Sequence, residues 1–68
     1  NLLKKYKLTR RELEILELLK QELTNKEISD KLYLSIYTIE THRKNIMQKL
    51  DLKSPASLLK FFINNDNL

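Results

Sequence analysis

Glycine is absent from this 68-residue chain and proline occurs once. The tight turns of β-hairpins need residues that tolerate positive φ, so a strand-rich fold is disfavoured from the outset. Cysteine is also absent, which removes disulfide frameworks and thiolate metal sites, and nothing indicates an oxidising compartment. With a single histidine, the ligands for a metal site are too few. There is no glycine loop to cradle phosphate. Ser35 and His42 lie about 10 Å apart along one helix and cannot pair as nucleophile and base. These absences set aside an enzyme and leave no expected metal, cofactor or small-molecule ligand. No apolar run approaches the roughly 20 residues of a membrane span, and no signal peptide is recognisable.

What is present is positive charge. The formal net charge is +4 and the pI is near 9.5. Lys4, Lys5, Lys7, Arg10 and Arg11 fall in the first eleven residues without an acid among them. Arg43, Lys44 and Lys49 form a second acid-free cluster over residues 42–49. Such clusters suit a polyanion, and a solvated face explains them equally well on charge alone. The length allows one small domain, where a single core gives marginal stability. A chain opening on Asn1 and not on methionine reads as a piece of something longer.

Helix start signals organise the chain into four helices, near 9–21, 25–32, 36–50 and 55–64, an all-α four-helix bundle. Thr9 with Glu12 and Thr24 with Glu27 are capping boxes. Ser35 can cap the third helix, and Ser54-Pro55 opens the fourth with proline at the first helical position. The apolar spacing predicts a core of Leu8, Ile15, Leu16, Leu19, Ile28, Leu32, Leu34, Ile39, Ile46, Leu50 and Phe62. Only Tyr33 and Leu34 separate the second helix from the Ser35 cap. A link that short forces a sharp crossing, the geometry of a helix-turn-helix, although short helix hairpins also occur in ordinary bundles.

The third helix has an unusual outer face. Ile39, Ile46 and Leu50 share one side, with Ile36 and Met47 at its margin, and Tyr37, Glu40, Thr41, Lys44 and Gln48 share the other. A solvated bundle face would favour long charged residues and alanine. This one mixes a hydroxyl, a phenol, a carboxylate, an amine and an amide, groups that can donate and accept at base edges in a major groove. Thr38, His42, Arg43 and Asn45 flank it with donors suited to phosphate. Each position also has a structural role open to it: Glu27 and Ser35 as caps, Asn45 at a helix crossing, and His42 as a core-edge histidine.

The motifs "LTRRELEILELL" and "LTNKEISDKLYLSIYTIETHRKNIMQKLDL" resemble the LuxR/FixJ-type helix-turn-helix domain, the output domain of response regulators. The marks are Leu8-Thr9, Arg11-Glu12, Asn25 through Ile28, Ser35 with Thr38-Ile39, His42 with Asn45-Ile46, and Lys49-Leu50. The resemblance implies a cytoplasmic, sequence-specific double-stranded DNA-binding module, the C-terminal effector of a larger transcription regulator. The resemblance covers about residues 8–63, so the chain is expected to divide into a basic lead-in at 1–7, the domain at 8–64 and a polar tail at 65–68. Glu40, Thr41, Lys44 and Tyr37 would read bases. Asn25, Lys26, Ser35, Thr38, His42 and Arg43 would hold phosphates. RNA polymerase is a further partner such a role admits. Members usually carry glycine where Glu22 stands, so the loop after the first long helix is expected to close differently here. Members often have a polar residue where Pro55 stands, so the last helix is expected to begin more sharply.

The apolar excess of the last helix suggests a homodimer on DNA through Leu59, Phe61 and Ile63. Two other readings stand beside DNA regulation: a helical protein-interaction module without DNA binding, and a promoter-reading domain like that of a sigma factor.

Overall fold

The computed structural model describes residues 2–65. Of the polar tail expected at 65–68, all but Asn65 lies outside the described residues. The helices in chain order are α1 (Leu2–Lys5), α2 (Arg10–Lys20), α3 (Asn25–Leu32), α4 (Ile36–Lys49) and α5 (Pro55–Asn64), with no strand among the described residues. The four expected helices are α2 to α5. The additional α1 is a single turn within the basic lead-in and is too short to leave a periodic signal in the sequence.

Both capping boxes form. The Thr9 hydroxyl accepts the Glu12 backbone N–H at 3.0 Å, and the Glu12 carboxylate accepts the Thr9 N–H at 2.8 Å. Thr24 and Glu27 repeat the exchange at 3.1 and 2.8 Å. Ser35 and Ser54 cap α4 and α5 by accepting the N–H three residues on, and Pro55 occupies the first helical position of α5. These bonds satisfy donors that the first turn of any helix leaves unpaired.

The helix ends are closed without glycine. Lys7, Glu22, Tyr33 and Asp51 all take positive φ, between 56° and 64°. After α2, the Glu22 N–H donates to the Leu19 carbonyl at 2.9 Å and the Leu23 N–H to the Leu18 carbonyl at 3.3 Å. Asp51 and Leu52 close α4 in the same pattern, on the carbonyls of Gln48 and Met47. This is the paired closure normally made with glycine at the left-handed position. The expectation of a different loop at Glu22 is therefore corrected: the loop keeps the glycine geometry, at roughly 1 kcal/mol for a residue with a Cβ.

α4 packs against both α2 and α3, and α1 packs against α2. Ile15, Leu16, Ile28, Ile39 and Ile46 are completely enclosed, surrounded by Leu8, Leu18, Leu50, Leu58 and Phe61. Leu19, Leu32, Leu34 and Phe62, expected in the core, are only half-buried against it. The exchange of Phe62 for Phe61 has a visible cause. Tyr6 meets the Phe61 ring edge-on at 5.8 Å between centroids, so the lead-in supplies a surface that draws Phe61 inward. Phe62 follows at the margin.

Glu12 does more than cap. It is 3% exposed, and its carboxylate also accepts the Lys49 ammonium at 2.6 Å. The pair joins the start of α2 to the end of α4, where the helix dipoles favour an anion and a cation respectively. Burial alone would raise the Glu12 pKa. The bonds from Lys49 and Thr9 outweigh it and hold the carboxyl below its ordinary value of 4.5.

A carboxyl whose pKa falls on folding stabilises the fold fully above its unfolded value and loses that contribution as pH drops through the folded value. Stability should therefore fall as pH is lowered from about 4.5, partly through Glu12. Glu12→Gln keeps a capping acceptor but removes the charge. It should cost about 1–3 kcal/mol at neutral pH and flatten the acid decline, as read by urea unfolding at several pH values. Parallel pH curves for the variant and the original chain would show that Glu12 is not the group responsible.

Candidate nucleic-acid interface

The chain turns from α3 to α4 across Tyr33, Leu34 and the cap Ser35. Tyr33 is left-handed, and the N–H groups of Tyr33 and Leu34 both reach the Ser29 carbonyl. Ser29 is itself buried, its hydroxyl donating to the Lys26 carbonyl at 3.0 Å. Leu34 then packs half-buried at the corner, and Ser35 starts α4. Two helices so joined, with the second laid across the first and across α2, form a helix-turn-helix.

Ile39 and Ile46 commit one side of α4 to the core, and the opposite side is left to solvent. Tyr37 is 77% exposed, and Glu40, Thr41, Lys44 and Gln48 are exposed with it. Glu40 and Lys44 stand one turn apart in the order that favours an ion pair. They make none. The Thr41 hydroxyl donates to the Tyr37 carbonyl at 3.1 Å, so toward any ligand it offers lone pairs and a methyl group.

The flanking residues divide into those already engaged and those still open. Arg43 Nη1 donates to Asn25 Oδ1 at 2.6 Å, tying α4 to the first residue of α3. Both are half-buried, and the guanidinium keeps further donors. Ser35 is occupied as a cap: its oxygen accepts the Thr38 N–H at 3.0 Å and lies 2.9 Å from the Thr38 hydroxyl. Lys26 pairs with Asp30 at 2.7 Å on an exposed face, a bond worth well under about 1 kcal/mol and easily exchanged for a phosphate. His42 is half-buried, and its Nδ1 is buried without a hydrogen-bond partner among the described residues. Asn45 is exposed.

The structure thus brings Asn25, Lys26, Arg43 and the α4 face together in one helix-turn-helix, whereas Leu59, Phe61 and Ile63 belong to α5. On α5, Leu59 and Ile63 are 62% and 67% exposed, but Phe61 is 8% exposed and packs in the core. Sequence reasoning missed the Asn25–Arg43 tie and the Lys49–Glu12 pair. Each links residues far apart in the chain, for which no local spacing gives a signal. It also left Tyr33 undecided, yet Tyr33 is 94% exposed. A shallow groove of about 250 Å³, lined by Leu3, Arg10, Leu13, Glu14 and Glu17, contains none of these residues.

Comparison with known proteins accords with this geometry. The chain is 50% identical over 54 residues to the oxygen regulatory protein NreC of Staphylococcus carnosus, a match covering 79% of this chain and 25% of that relative. It is 57% identical over 53 residues to the uncharacterized response regulatory protein YgeK of Escherichia coli K12, covering 78% of this chain and 36% of that protein. The chain therefore spans about a quarter to a third of the length of these relatives. No solved structure matches it. Residues 6–62 match the luxR family of bacterial regulatory proteins, and the chain belongs to that family of non-enzymatic, DNA-binding transcription regulators.

Proposed function

We propose that this chain is the DNA-reading effector module of a larger regulator, with α4 as the recognition helix in the major groove. The observation that carries the reading is the division of α4. One side is sealed into the core by Ile39 and Ile46, while Tyr37, Glu40, Thr41, Lys44 and Gln48 face outward. An α-helix fits the major groove, and these groups match what base edges offer: Lys44 to guanine acceptors, Glu40 to the cytosine amine, and Thr41 to an amine or a thymine methyl. Asn25 and Lys26 open α3, where free N–H groups and the positive dipole end favour a phosphate. Arg43 both braces that corner and keeps donors for the backbone. Ser35, Thr38 and His42 complete the backbone contacts, His42 through the ring nitrogen other than the buried Nδ1.

Two subunits would sit on adjacent half-sites and meet through α5. Leu59 and Ile63, one turn apart and exposed, form the contact stripe. Phe61 is reassigned to holding α5 on the core. Bacterial DNA lies in the cytoplasm, where the module would act within reach of RNA polymerase. No helix among the described residues is long and apolar enough to cross a membrane.

Base reading and phosphate holding are separable by measurement on duplexes selected from a random pool. Lys44→Ala or Thr41→Ala should cost about 1–3 kcal/mol on the preferred sequence and little on others. Lys26→Ala should weaken all sequences alike and reduce the slope of log affinity against log salt by about 0.9. Glu40→Gln should raise non-specific affinity while reducing discrimination, because a carboxylate beside DNA is tolerable mainly when it accepts from cytosine. If all the α4 variants leave affinity and preference intact, α4 does not enter the groove, and a protein-interaction module becomes the better reading.

The α5 contact is tested by Leu59→Lys and Ile63→Lys. Both side chains are exposed, so the fold should survive. Binding to a two-site duplex should weaken more than binding to a single half-site. An equal effect on the two duplexes would place the subunit contact elsewhere.

A further inference from the structure

Among the described residues, the exposed large apolar side chains fall into two groups. Leu59 and Ile63 form the α5 stripe. Tyr33, Ile36 and Tyr37, at 94%, 41% and 77% exposure, lie within five consecutive residues at the turn and the first turn of α4. None of the three contributes to the core. Tyr33 also holds φ at 58°, a conformation ordinarily left to glycine or asparagine, with no packing in return.

The group is continuous with the polar face of α4. Tyr37 stands one turn before Thr41, whose hydroxyl is bonded to the Tyr37 carbonyl, and Ile36 stands one turn before Glu40. The N-terminal residues of a recognition helix are the ones that reach base edges in helix-turn-helix docking. The major groove offers one distinctly apolar feature, the C5-methyl group of thymine. An isoleucine and a tyrosine held exposed at that end of the helix match it better than they match phosphate or water.

We propose that Ile36 and Tyr37 form an apolar reading edge that selects thymine through its 5-methyl group, with Tyr33 lying beside it against the duplex backbone. The inference rests on the DNA-binding reading of α4 and adds, one turn before Thr41, a second and wholly apolar contact to thymine. Glu40 and Lys44 read hydrogen-bonding atoms; the apolar edge reads a methyl that makes no hydrogen bond. The two kinds of recognition can therefore be removed independently.

The experiment uses the 68-residue chain and the duplex it selects from a random pool. Each thymine is replaced singly by deoxyuridine, which deletes the methyl and leaves every hydrogen-bonding atom in place. At one or two positions the unaltered protein should bind about three- to fivefold more weakly, the worth of one buried carbon group. In Ile36→Ala or Tyr37→Ala those same replacements should no longer matter, with thermal melting showing the fold intact. Equal affinity for every deoxyuridine duplex, a selected site without thymine preference, or methyl dependence that persists in both variants would overturn the proposal. If Lys44→Ala still loses preference in such a case, base reading by α4 stands and the apolar edge serves a protein partner. If no duplex is bound at all, the DNA reading fails and this inference falls with it.

Discussion

The Glu12 carboxylate accepts bonds from two parts of the chain, the Thr9 backbone N–H and the Lys49 ammonium, while almost wholly withdrawn from water. It begins α2 and fastens the far end of α4, 37 residues away. Only the Glu12 end of the pair is buried, the Lys49 side chain being about one-third exposed, so the bond adds little net stability, but removing Lys49 would leave a buried carboxylate without its cation. What it fixes is the placement of α4 against α2. The orientation of every residue on the outer face of α4 depends on that placement.

A second tie works at the other corner. Arg43 reaches from α4 to Asn25, the first residue of α3, so α4 is held at two points as well as by Ile39 and Ile46 beneath it. Rolling the helix would break both ties and unseat Ile39 and Ile46. Side chains on its outer face therefore inherit fixed directions from the core, which is the condition for reading bases by position. A small domain can give up apolar surface along one side of its central helix because the other side is so thoroughly used.

The parts legible in the sequence are those encoded locally. Capping boxes at Thr9 and Thr24, serine caps at Ser35 and Ser54, and the apolar stripes located α2 to α5 to within about a residue at each end. The polar face of α4 followed from the same periodicity. Three things were not legible. The turn of α1 is too short for a periodic signal, and without the Tyr6 ring that follows it the preference for Phe61 over Phe62 has no visible cause. The left-handed closures at Glu22 and Asp51 use residues that do not announce such geometry. The Glu12–Lys49 and Asn25–Arg43 bonds join distant positions, so neither was visible in local spacing, and Lys49 read only as part of a basic cluster.

In the proposed reading the outer face of α4, and not α5 or the basic lead-in, meets DNA. Backbone amide NMR spectra of the chain, recorded during titration with a single selected half-site, test it directly. The largest shifts should map to residues 36–48 of α4 and to Asn25 and Lys26 at the mouth of α3, with Leu59 and Ile63 little changed. Shifts confined to α5 or to residues 2–7, with α4 unmoved, would contradict it.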